Sequence, residues 1–147
     1  MRGERLESFL RRQAFDLLAI VRRYAAKLEY EVQLHRASSL ETGASRYVEM
    51  LTDATGFRYA PEDALLDLDD GFYAARYLRA WQLESSLRAA LIERFDEDWF
   101  RNPKSGPFVL ELLSLGQRDD AVQVARSVLG TELNFDALVK QAEAALS

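Results

Sequence analysis

Tyr73 and Tyr77 stand four residues apart, and Trp81 follows after four more. On a helix that spacing puts all three on one face. A row of this kind has two readings. Phenol hydroxyls are good hydrogen-bond donors at the wall of a ligand cleft. The same row also makes a packed aromatic stripe whose hydroxyls find backbone or water partners. Just upstream, Asp67, Asp69 and Asp70 form an acidic group. It reads either as the mouth of such a cleft or as a helix-capping cluster, since short acidic residues suit a helix start.

Little else in the chain offers chemistry. His35 is the only histidine, there is no cysteine, and no HExxH pair occurs. A zinc site built on one histidine and several carboxylates departs from the usual ligand sets, so no metal ligand is assigned. His35 reads as a helix-end residue near the C-terminal dipole. A nucleophilic triad would have to pass through this one histidine, and no partner is located for it. The glycines are scattered and form no phosphate-binding loop. No catalytic residue is assigned. Arg11, Arg12, Arg22, Arg23 and Lys27 read either as an anion site or as a solvated face paired with glutamates at helical spacing.

The composition fits a folded chain. Of 147 residues, 48% are hydrophobic and three are proline, which disfavours disorder. A net charge of −5 argues against nucleic acid as the main partner. No apolar run approaches the ~20 residues of a membrane span, and the N-terminus lacks the apolar core of a signal peptide. A cytoplasmic protein with no membrane association is the default expectation.

The elements that must position the tyrosines all read as helices, so the predicted fold class is all-α. One domain over residues 1–147 is expected, with about six to seven helices. The first spans residues 4–35, with Leu6, Phe9, Leu10, Leu17, Val21, Tyr24, Leu28 and Val32 as its apolar stripe. A second runs over 44–55, with Tyr47, Val48, Leu51 and Ala54 inward and Gly56 closing it. Residues 57–60 are extended before Pro61, which opens a short helix. A long helix over 69–95 follows, apolar on nearly two faces, so it is expected at the centre of the fold. Trp99 and Phe100 anchor a short turn. Pro107 sits in the first turn of a helix ending at Gly116. Asp119 or Asp120 caps the next, closed by Gly130, and Asn134 caps the last. No stretch alternates as a strand does.

Three segments carry a family likeness. GFYAARYLRAW (71–81) is similar to an FYxYxY segment, with Ala75 at the middle tyrosine. FLRRQAF with AAKLEYEVQLH, ending at His35, is similar to an FRQ…F…E…H helix. LLSLGQRDDAVQVARSVLG (112–130) is similar to an FLxxGGSxxPxxLLxxAG segment. In this order they resemble the C-terminal part of the thimet oligopeptidase and oligoendopeptidase F family of zinc metallopeptidases. The resemblance implies an all-helical cleft wall in which Tyr73 and Tyr77 meet a peptide substrate. The family's zinc ligands lie upstream of the resembling part, so zinc enters only through an upstream or partner HExxH segment. Where the family has a histidine shortly before FYxYxY, this chain has Asp67, implied as a third substrate-cleft residue. A carboxylate donates a hydrogen bond only when protonated. The chain alone is therefore expected not to hydrolyse peptides, since nothing in it activates water. Its expected partner is a peptide or protein. The alternative is a stand-alone helical interaction protein. Either way, apolar surface normally covered by the other half would favour homo-oligomers.

Overall fold

The computed structural model of the chain describes residues 2–147. The protein is all-α: helices α1 (Arg2–Arg36), α2 (Gly43–Thr55), α3 (Ala74–Phe95), α4 (Ser105–Ser114), α5 (Ala121–Val124) and α6 (Asp136–Leu146) follow in order, with no strand among the described residues. Two 3-10 turns, Pro61–Ala64 and Trp99–Arg101, join them, and α5 runs on into a π-helical turn, Ala125–Leu129. The chain divides into two compact units, residues 2–78 with 144–147, and Arg79–Glu143. The boundary falls inside α3, after Leu78.

In the first unit the core forms where α2 and the Pro61–Ala64 turn cover the C-terminal half of α1. Ala26, Tyr30 and Leu34 of α1 meet Tyr47 and Leu51 of α2 and Ala64 of the turn. Tyr47 is held edge-on between Tyr30 (5.3 Å) and Tyr59 (5.8 Å). The Tyr30 hydroxyl donates to the carbonyl of Ala64 at 3.1 Å, which anchors the turn that Pro61 starts. Gly43 opens α2 where a Cβ would stand only 3.2 Å from Leu34 Cδ1, so the absence of a side chain lets the two helices close. Gly56 ends α2 in the left-handed conformation, φ 75°, as its position predicts.

The apolar stripe expected along α1 is only half used. Leu6, Phe9 and Leu10 are exposed, not inward. The reason is length: at 1.5 Å per residue, α1 extends about 52 Å and α2 about 20 Å. The face that does pack on α2 carries Ala26, Tyr30 and Leu34, a row beside the predicted one.

The second unit is built on small residues. Ser85, Ser86, Ala90 and Leu91 of α3, Ala125 and Leu129 of the π-turn, and Leu138 and Ala142 of α6 are buried. Asp120 caps α5 through a reciprocal pair with Gln123, its carboxylate accepting from the Gln123 N–H at 2.8 Å and its own N–H donating to the Gln123 side chain at 3.0 Å. Gly130, φ 71°, closes the π-turn, at the position expected to end that helix. Asn134 accepts from the N–H of Asp136 at 2.9 Å, a side-chain turn leading into α6, which starts one residue later than expected.

Candidate functional site

The helix bearing the tyrosines starts later than its sequence suggests. Instead of beginning at Asp69, α3 begins at Ala74. Gly71 (φ 61°) and Phe72 (φ 56°) both lie in the left-handed region. A right-handed helix cannot pass through two such residues, so 67–73 becomes a shaped connector. The carbonyls of Phe72 and Tyr73 then accept from the N–H groups of Ala75 (2.9 Å) and Arg76 (3.0 Å) to start the helix. The Phe72 ring packs edge-on against His35, 5.2 Å between centroids. His35 thus sits in the last turn of α1, as predicted, with an aromatic neighbour.

The connector is tied to α1 by charge. Arg23 Nη2 reaches both carboxylate oxygens of Asp67 at 2.7 Å, and the Tyr47 hydroxyl donates to Asp67 Oδ2 at 3.0 Å. One turn on, Lys27 Nζ contacts Glu31 Oε1 at 3.2 Å and Asp69 Oδ2 at 2.5 Å. Glu31 Oε1 also accepts from the backbone N–H of Asp69 at 3.0 Å. Lys27 is 3% and Glu31 1% exposed. Burial works against the Lys27 ammonium, but the hydrogen bonds to Asp69 and Glu31 outweigh it and hold its pKa above the ordinary lysine value. Burial likewise opposes Arg23, and Asp67 outweighs it. Burial, then the bond to Asp67, push the Tyr47 phenol above its ordinary range.

On this platform stand the two tyrosines singled out by spacing. Tyr73 is 43% and Tyr77 41% exposed. Their rings meet edge to face at 5.2 Å, and Tyr77 meets Tyr24 of α1 in the same way at 5.2 Å. The Arg76 guanidinium lies over the Tyr73 ring, 5.4 Å from its centroid. A hydrogen bond with Tyr73 raises the pKa of the Tyr77 phenol, and the charge of Asp69 adds to the effect. The row Tyr24, Tyr77, Tyr73 and Arg76 is therefore a half-open aromatic shelf with polar edges. Trp81 belongs to the second unit and is half-buried.

Of the predicted site residues, Tyr73 and Tyr77 come together at this surface. Asp67 has both oxygens engaged by Arg23 and Tyr47, which makes it a fastening of the connector. Periodicity did not single out Lys27 and Glu31 as buried; the only sequence signal was their i,i+4 spacing. Arg11–Glu7 (3.1 Å) and Arg12–Asp16 (3.8 Å) do form the exposed helical pairs expected of a solvated face. Among the described residues, no three His, Cys, Asp or Glu side chains are grouped to hold a metal ion. No helix among them is long and apolar enough to cross a membrane. No family model matches the chain, and no curated protein or solved structure matches it.

Proposed function

We propose that this chain is a peptide-binding helical domain, the cleft wall of a metallopeptidase-like protein, and is not catalytic by itself. The observation that carries the reading is the pair Tyr73 and Tyr77, both about two-fifths open to solvent and paired edge to face. A tyrosine committed to packing alone buries its ring and satisfies its hydroxyl inside the fold. These two stay part-exposed, with Tyr77 bonded to its neighbour Tyr73 and not to the core, above a connector that charge pairs hold in place. Phenol hydroxyls both donate and accept, so the pair is matched to the N–H and C=O groups of an extended peptide backbone. The resemblance of residues 71–81 to the FYxYxY segment points to the same use. Hydrolysis would require a metal-bearing segment that these residues do not supply, and no chemical step is assigned to them.

The test is a titration of isotopically labelled protein with a degenerate octapeptide pool, followed by nuclear magnetic resonance. Shifts concentrated at Tyr73, Arg76 and Tyr77 support the reading. Absence of shifts there at millimolar peptide, or shifts confined to other surfaces, overturns it.

A second reading, a stand-alone interaction protein, is favoured by a different observation: the exposed apolar residues of the N-terminal half of α1.

A further inference from the structure

The N-terminal half of α1 is a long amphipathic stretch whose apolar stripe is uncovered. Leu6 (59% exposed), Phe9 (57%), Leu10 and Ile20 are open to solvent, and Leu17 is half-buried beside them. Their spacing of three and four residues puts them on one side of the helix, with Gln13 in the middle. These residues recur at the intervals of a helix-pairing seam. Glu7–Arg11 and Arg12–Asp16 ion pairs lie along it.

We infer that this stripe pairs with the same stripe of a second copy, the two helices running antiparallel about a twofold axis at Gln13. Leu6, Phe9, Leu17 and Ile20 are self-complementary about that residue, and Leu10 falls opposite Asp16 of the second copy. Leu6 of one copy meets Ile20 of the other, Phe9 meets Leu17, and Gln13 meets Gln13, as an isologous interface requires. The charges select the direction. In the antiparallel arrangement Arg12 lies two residues, about 3 Å of helix rise, from Asp16 of the second copy, twice over, within reach of an arginine side chain. A parallel pair would set this flank against the opposite flank of the second copy, where Arg12 and Asp16 find no such partner. The area is sufficient. The four open side chains expose roughly 400 Å² per copy, so a pair hides at most about 800 Å² from them, and rim residues supply the remainder of the about 1,000 Å² of a specific interface. This inference is independent of the peptide reading, since it uses none of the residues at Tyr73 and Tyr77.

The experiment is sedimentation equilibrium of the full chain and three variants at about 100 μM, where a micromolar dissociation constant leaves mostly dimer. The wild type is expected at twice its 16.8 kDa mass. Phe9→Glu puts a charge into the seam at a position exposed in the single chain, and is expected to weaken association by about a hundredfold or more. Arg12→Asp is expected to weaken it, and Arg12→Asp combined with Asp16→Arg to restore it. A wild-type monomer overturns the inference and leaves the stripe to a different polypeptide. A dimer indifferent to Phe9→Glu overturns it as well. Failure of the charge swap to restore association overturns the antiparallel register.

Discussion

Lys27 and Glu31 show how one ion pair changes meaning with burial. At the surface an i,i+4 pair contributes a few tenths of a kcal/mol. Here both groups are almost fully removed from water and share Asp69. Removing one partner leaves an uncompensated buried charge, so Lys27→Met is expected to destabilise the fold by about 3 kcal/mol. A urea titration measures it, and a cost below about 1 kcal/mol would show the pair behaving as a surface pair. Tyr47 sets a pH dependence. Its phenol holds its proton in the fold after the unfolded chain has released it, because the folded pKa is raised. The stability it contributes is intact below about pH 10, the ordinary tyrosine value, and is lost as pH rises beyond it. Lys27, also raised, acts with the same sign. Unfolding free energy is therefore expected to fall progressively as pH rises above about 10, and Tyr47→Phe to flatten part of that fall. The variant also costs ~1 kcal/mol at neutral pH through the lost bond to Asp67. An unchanged slope would contradict the assignment. At this scale the four-residue spacing of Tyr73 and Tyr77 does bring their rings together, although Tyr73 stands just before the first residue of α3. The sequence was not legible for Asp67, whose partners Arg23 and Tyr47 are 44 and 20 residues away.

The elements follow local rules except at the start of α3. The cap at Asp120, the side-chain turn at Asn134 and the closing glycines at Gly56 and Gly130 are where local chemistry puts them, because each acts within one turn. The expected start at Asp69 is displaced to Ala74 because Gly71 and Phe72 both take positive φ. Glycine advertises that freedom, but phenylalanine does not, and its cost is met by the ring contact with His35 and the ties of Asp67 and Asp69. Gly71→Ala meets open space, so it tests backbone strain alone. It is expected to cost ~1 kcal/mol in thermal or chemical unfolding; a neutral result would mean that the connector relaxes. Asp120→Ala removes a reciprocal cap and is expected to cost ~1 kcal/mol by the same measurement, whereas an unchanged midpoint would show that the π-turn holds α5 without it.

For the whole molecule, the helical class was readable because 3.6-residue periodicity is present almost throughout. Which parts of each stripe are covered was not readable. Leu6, Phe9 and Leu10 carry the same pattern as the buried stretches, and only the shortness of α2 against α1 leaves them in water. The central claim is that the shelf of Tyr73 and Tyr77 binds a peptide backbone through its phenol hydroxyls. The most direct measurement is the dissociation constant of the octapeptide pool for the wild type and for the double variant Tyr73→Phe, Tyr77→Phe. The variant keeps both rings and removes the hydroxyls together with the hydrogen bond between them. Two lost hydrogen bonds of ~0.7 kcal/mol each predict about tenfold weaker binding with the fold unchanged. Equal affinity of the two proteins would contradict the account.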